Sequence, residues 1–304
     1  MKTEQVKSSM MLMLTALIWG VAFVAQTIGM DYVGPFTFNS VRALIGGLVL
    51  MPIIPLLDKM KKQPKEQLQA ELRAQRKQLI IGGIVCGTVL AVASSLQQIG
   101  LVYTTPSKAG FITALYIVIV PVLGIFMKKR PSALVWISVL VAAAGMYLLC
   151  IKDGFSIEFG DLMVLLCALA FSFHILVIDY FSPRVDGVRL SMIQFFVCAV
   201  VCAVPMFWAE KPTVDGIMGA WLPILYAGAL SCGVAYTLQI VGQRNMNPTV
   251  ASLILSLESV FSCLAGCLVL GDVLSKREIV GCVLVFAAIL LAQIPMPGKR
   301  REER

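Results

Sequence analysis

Apolar residues fill this chain in long uncharged runs, broken by short polar or basic clusters. Ten runs stand out: Met11–Ile28, Pro35–Leu57, Leu79–Tyr103, Ser107–Met127, Pro131–Ile151, Asp161–Tyr180, Val188–Trp208, Met218–Val241, Pro248–Leu270 and Ile279–Ile294. An apolar run of about 18 residues or more has the length of a membrane-crossing helix. Lipid offers no partner to a free N–H or C=O, so a crossing segment is a helix or part of a closed barrel. A barrel strand alternates apolar and polar residues; these runs are continuous. The pattern therefore predicts an all-α integral membrane protein with ten transmembrane helices.

Part of the pattern occurs twice. Leu96–Gly124 returns as Leu238–Gly266 without a gap, 142 positions later. The pairs Gln97/Gln239, Gly100/Gly242 and Pro106/Pro248 carry more weight than the apolar matches, because apolar bias does not supply Gln, Gly and Pro. Each copy reads as an apolar helix, a polar turn, then proline at the start of a second helix, where its missing N–H costs nothing. The chain divides into residues 1–151, with a loop at 58–78, and residues 152–304, with a basic tail. Five helices per half is an odd number, so the second half inserts upside down, the inverted-repeat logic of secondary transporters.

Composition and charge support the membrane reading. Of 304 residues 59% are apolar and 14% charged, against roughly half and a quarter in a soluble domain. The net charge of +8 does not indicate nucleic acid, because of its distribution. With loops assigned alternately, the side holding both termini receives 19 Lys and Arg and the other side four: Lys152, Lys211, Lys276 and Arg277. That asymmetry predicts cytoplasmic termini in a plasma (inner) membrane protein. The nine cysteines lie in or at the ends of apolar runs, without a CxxC pair. They read as small apolar filler rather than disulfides or metal ligands.

The candidate chemistry sits inside the runs. The first resembles a signal peptide in position but is too long for an h-region and carries Trp19. The second holds Asn39 and Arg42, a residue that is either functional or snorkels to the outer interface. Residues 58–78 suggest a short cytoplasmic surface helix after Pro64, or a plain solvated connector. Gly83-x-x-x-Gly87 is a close-packing pattern, weak by itself. Lys108 falls in the first turn of the fourth run and Tyr116 near its mid-depth. His174, the only histidine, is either a packed polar residue or a proton carrier; Gln194 occupies the place of Arg42 in the second half. Glu258 lies ten residues past Pro248, about 15 Å into its helix and near the bilayer centre. It is a proton-coupling candidate or a structural carboxyl bonded to a neighbouring helix. Trp19, Gln97, Tyr116, Tyr236, Gln239 and Glu258 are expected to approach one central space, or else the aromatic ones simply fill helix contacts.

Trp19-Gly20, Phe38-Asn39-x-x-Arg42, SKAGFITALYIVIVP at Ser107–Pro121, SLESVF at Ser256–Phe261 and Leu270-Gly271-Asp272 resemble the drug/metabolite transporter superfamily, EamA-type branch. Ser259 stands where the family usually has proline and Asp272 where it has glutamate. The first departure weakens the expectation of a helix kink. The resemblance covers nearly the whole chain. It implies two inverted five-helix repeats around a central substrate cavity, with metabolites, amino acids or drugs as cargo.

Three function classes compete. An enzyme needs a nucleophile–base pair or metal ligands, yet HExxH, GxSxG and P-loop patterns are absent, and one histidine does not build a His-rich metal site. A passive channel or structural membrane subunit remains an alternative. The inverted duplication favours a secondary transporter, exporter or exchanger, working by alternating access. The expected partners are a small-molecule substrate and the lipid bilayer, with a homodimer as an open assembly state, no nucleic acid and no cofactor. Arg42 and Lys108 above Glu258 would suit an anionic or zwitterionic metabolite.

Overall fold

The computed structural model describes residues 2–60, 64–104, 106–126, 131–150, 158–244, 246–270, 275–292 and 294, with backbone alone for residues 2, 3, 106–108, 149, 150, 266, 267, 269 and 270. Among them every regular element is helical. In order they are α1 (Lys2–Gly29), α2 (Pro35–Met60), α3 (Lys65–Tyr103), α4 (Pro106–Thr113), α5 (Tyr116–Phe126), α6 (Ala133–Cys150), α7 (Phe159–Phe181), α8 (Gly187–Ala209), α9 (Val214–Gly219) and α10 (Trp221–Leu225). Then follow a π-helix, π1 (Tyr226–Tyr236), and α11 (Thr237–Gln243), α12 (Pro248–Leu255), α13 (Leu257–Leu270) and α14 (Lys276–Ala292). Eight helical stretches among the described residues are long and apolar enough to cross a membrane, and Ala133–Leu148 is a shorter apolar one.

Polar and apolar surfaces are inverted relative to a soluble protein. Leu44, Leu48 and Met51 form an exposed stripe along α2, and Val200, Val204 and Phe207 one along α8. Gln26, Asn39, Arg42, Gln97, Gln98, His174, Gln194, Gln239, Gln243 and Glu258 are buried. Lipid rewards this arrangement, because apolar side chains cost nothing there and polar groups require protein partners.

Several elements differ from the hydrophobic pattern. Residues 65–78 are helical but not a separate surface helix: they extend the third run into one continuous helix, α3. No proline or glycine separates Lys65 from Leu79, so nothing in the backbone stops the helix. The fourth and ninth runs are each broken, at Ala114–Leu115 and at Ser256. These breaks are 142 positions apart, within the repeated stretch. The kink expected to weaken with Ser259 is nevertheless present three residues earlier. Ser256 turns its hydroxyl onto the Leu253 carbonyl at 2.7 Å, and Ser259 donates across to the Gly110 carbonyl at 3.3 Å. Asp272 lies outside the described residues.

Packing is unchanged when the halves are exchanged. α1 lies against α10, π1 and α11 and against α12 and α13; α7 lies against α3 and against α4 and α5. Each half thus lends its first helix to the other half's bundle. α2 also packs on π1 and α8 on α3, while the pairs α2–α8 and α6–α14 join the two bundles. The equivalence reaches single contacts. A Cβ on Gly100 would meet Val164 at 2.3 Å and the Gly160 carbonyl at 3.0 Å; one on Gly242 would meet Leu12 and the Ser8 carbonyl at 3.2 Å. Gly100 and Gly242 are 142 apart, while Ser8/Gly160 and Leu12/Val164 are each 152 apart. The second half is therefore ten residues shorter between its second and third crossing segments.

The halves also differ in helix type beside the cavity. π1 has no counterpart: residues 84–94 of α3 are regular α-helix. A π-helix widens the ladder and exposes carbonyls. Thr15 Oγ1 donates to the Ala235 carbonyl at 3.0 Å, and Trp19 Nε1 approaches the Ser231 carbonyl at 3.5 Å. The α7 residues equivalent to these two donors are Cys167 and Phe171, which offer nothing comparable.

The Gly83-x-x-x-Gly87 pattern marks the α3–α8 contact. A Cβ on Gly87 would lie 2.5 Å from the Gln194 carbonyl and 2.6 Å from the Val197 Cβ. Among the described residues, only the Ser259 hydroxyl, at 4.0 Å, comes near a Cβ added at Gly110. Gly87→Leu is expected to lower stability by about 1–3 kcal/mol through overpacking, whereas Gly110→Ala leaves the melting temperature in detergent unchanged or raised. Equal melting of Gly87→Leu and wild type would refute the contact.

Candidate functional site

The two bundles line a narrow cavity of about 30 Å³. α1 contributes Trp19, Ala22, Phe23 and Gln26; α2 contributes Arg42. Ser231, Tyr236 and Gln239 come from π1 and α11, and Leu255 and Glu258 from α12 and α13. The facing wall is Gln97 on α3, Thr113 and Tyr116 around the α4–α5 break, and Phe171 and Ile175 on α7. Most of the wall obeys the two repeat offsets. Gln97/Gln239, Thr113/Leu255 and Tyr116/Glu258 are 142 apart; Trp19/Phe171 and Phe23/Ile175 are 152 apart.

The helix breaks explain how polar groups reach the centre. Tyr116 and Glu258 sit just after them, in the first turns of α5 and α13. Tyr116 Oη donates to Glu258 Oε1 at 3.0 Å, so equivalent positions of the two halves meet directly. Gln97 Nε2 donates to Thr113 Oγ1 at 3.4 Å across the same wall. On the other side Arg42 Nη1 donates to Gln26 Oε1 at 2.7 Å, and its guanidinium stands 5.5 Å from the centre of the Phe38 ring. Among the described residues no ion pair joins Arg42 to Glu258. A cation and a carboxyl thus face one cavity with neutral partners. Between them stands an aromatic floor: Trp19 packs on Tyr236 with ring centres 4.6 Å apart, and Phe195 backs Tyr236 at 5.7 Å.

Seven of the eleven residues singled out from sequence line this cavity: Trp19, Arg42, Gln97, Tyr116, Tyr236, Gln239 and Glu258. Three do not. Asn39 lies one turn before Arg42, roughly 60° around the helix and about 4.5 Å further along it; it is buried, with neither amide atom partnered. His174 falls between the lining residues Phe171 and Ile175 but turns toward α8, where its Nε2 lies 3.2 Å from Gln194 Oε1. His174 and Gln194 are both buried and do not line the cavity, and the His174 ring stands 6.0 Å from that of Tyr236. The side chain of Lys108 lies outside the described residues.

Gln26, Thr113 and Phe171 are lining residues the sequence reading missed. Each had a signal. Gln26 is two turns after Trp19 on the same face, Thr113 is three residues before Tyr116, and Phe171 follows Trp19 by the second offset. That offset becomes visible only when the first helices of the halves are aligned separately.

This architecture, apolar outside with a polar cavity at the centre, defines a multi-pass membrane protein of transporter type. The EamA-like transporter family matches the chain twice, over residues 6–151 and 158–293, and the chain belongs to that family. It is 30% identical over 290 residues to an uncharacterized transporter of Archaeoglobus fulgidus, covering 93% of this chain and 84% of that one. It is 24% identical to the uncharacterized transporter YwfM of Bacillus subtilis, with 93% and 92% covered. To the uncharacterized inner membrane transporter YedA of Escherichia coli K12 it is 23% identical, with 90% and 87% covered. A crystal structure superposes with a TM-score of 0.74 over 94% of this chain and 96% of its own, at 18% identity, a likeness of fold.

The Tyr116–Glu258 bond is the site's central tie. Tyr116→Phe removes the donor and is expected to cost about 1–3 kcal/mol, because a buried acceptor is left unmatched. Glu258→Gln keeps an acceptor oxygen and should cost less. Thermal unfolding of both variants in detergent checks this; a Tyr116→Phe protein as stable as wild type contradicts it.

Proposed function

We propose that this chain is a secondary transporter that carries a small anionic or zwitterionic metabolite by alternating access. Its two halves, 1–151 and 152–304, act as inverted five-helix repeats in a plasma (inner) membrane, with both termini cytoplasmic. The observation that carries the reading is the pairing of Tyr116 with Glu258: one cavity takes matched positions from each half, as a site shared by exchanging repeats requires. The double family match and the exchange-symmetric packing support the same division. The basic loops, concentrated on one side, support the orientation.

Within this reading each wall has a role. Arg42 is held by one hydrogen bond to Gln26, which leaves guanidinium donors for a substrate carboxylate in bidentate geometry. Trp19, Tyr236 and Phe171 offer apolar and aromatic surface to the rest of the molecule. Glu258 receives either a substrate cation or a transported proton. No enzymatic role is assigned.

Reconstitution into proteoliposomes with a panel of radiolabelled amino acids and carboxylates tests the reading. Stoichiometric countertransport is expected; ohmic conductance would instead favour the channel alternative. For a transported carboxylate, Arg42→Ala should reduce uptake by about tenfold or more, the scale of one lost charge-assisted pair, and Arg42→Lys should restore only part of it. If Glu258 carries the coupled proton, Glu258→Gln removes the pH dependence of uptake. A variant with wild-type pH dependence eliminates Glu258 from coupling.

A further inference from the structure

The seam between the two bundles along α2 and α8 is tied at both ends by carboxylates that are repeat equivalents. α2 and α8 run antiparallel and pack together, with Ser40 Oγ, in the second turn of α2, donating to the Ala199 carbonyl at 3.0 Å. At one end Glu210, the residue that ends α8, accepts from Phe36 N at 2.9 Å, Thr37 N at 2.8 Å and Thr37 Oγ1 at 2.6 Å. At the other end Asp58, in the last turn of α2, accepts from both terminal nitrogens of Arg189 on α8, with Nη1 at 3.2 Å. Glu210 is 152 positions after Asp58, and Arg189 is 152 after Thr37. The two ties are thus one contact written twice.

Their chemistry differs for a local reason. At the Glu210 end the position before the helix start is Gly34; a Cβ there would lie 2.3 Å from the Glu210 carboxyl carbon. The missing side chain lets an outside carboxylate sit on the free amides of α2, where the helix dipole favours negative charge. At the Asp58 end the equivalent position is Asp186, which caps α8 itself by accepting from Arg189 N at 3.0 Å. The amides are then occupied, and Asp58 is held by the Arg189 side chain instead. One tie is a carboxylate on a helix terminus, the other a bidentate ion pair whose guanidinium Asp186 also holds, with Oδ2 3.3 Å from Arg189 Nη1, and both are closed together.

We propose that Glu210 and Asp58 are a matched pair of latches, each of which must release for the cavity to open at its own face. The inference rests on the alternating-access reading above. When two bodies rock about a seam, its ends part in turn, so a tie at each end holds the occluded form. The Asp58–Arg189 latch faces the basic, cytoplasmic side and the Glu210 latch the opposite side.

The test places a cysteine in the cavity, Ser231→Cys, and measures its labelling by a membrane-impermeant methanethiosulfonate reagent in right-side-out and inside-out vesicles. The same protein with Ser231 supplies the background. Glu210→Gln is expected to raise labelling from the outer face alone, and Asp58→Asn from the inner face alone, each about tenfold, the shift that loss of one charge-assisted contact gives a two-state equilibrium. Thr37→Val, which keeps the amide donors, should give a smaller rise from the outer face, and Asp58→Glu should stay near wild type. These two milder variants carry the test if the others fail to fold. Labelling unchanged by every variant, or raised at both faces by any one, overturns the latches while leaving transport intact. A cavity cysteine unreachable from one face in wild type and all variants overturns the alternating-access reading with it.

Discussion

A polar group within the bilayer has to find its partner inside the protein, and that constraint shapes the whole fold. Water is absent, so each buried hydroxyl, amide and charge either pairs or pays its desolvation. The helices meet through small residues where backbones touch and through side chains that donate across interfaces. Thr15 and Trp19 reach carbonyls of π1, Ser259 reaches Gly110, and Tyr116 reaches Glu258. The breaks at residues 114–115 and 256 follow from the same rule. An unbroken helix keeps its backbone groups to itself; a broken one turns a residue such as Glu258 toward the axis of the bundle.

The same constraint explains the asymmetry between the halves. The duplicated backbone is nearly interchangeable, but side chains at equivalent positions have diverged. Where α1 carries Thr15 and Trp19, its neighbour adopts a π-helix; where α7 carries Cys167 and Phe171, its neighbour stays α-helical. The π-helix thus stands where the adjoining helix carries these donors.

Much of the fold was legible because hydrophobic run length and the 142-residue repeat are strong signals. The pattern located the helical segments, the repeat located Gln97 and Gln239, and depth within the runs located Tyr116 and Glu258. Other features were not legible. The continuity of α3 through residues 65–78 depends on the absence of any stop signal in a polar stretch, which looks like a loop by composition. Asn39, His174 and Gln194 were unusual residues in apolar runs, yet rarity does not give direction: His174 turns to Gln194, and its neighbours Phe171 and Ile175 turn to the cavity. Gln26 was overlooked because its role appears only when Arg42 is seen to need an acceptor.

Equivalent positions carrying unlike groups give a symmetric scaffold a direction. Tyr116 opposes Glu258 rather than another tyrosine, so the cavity has one carboxyl and not two. Arg42 has Gln194 as its equivalent, so among the described residues the cation too is single, and Gln194 is engaged with His174. Two identical halves would present a substrate with the same charges from both faces. Here the carboxyl and the cation occupy different walls of the cavity.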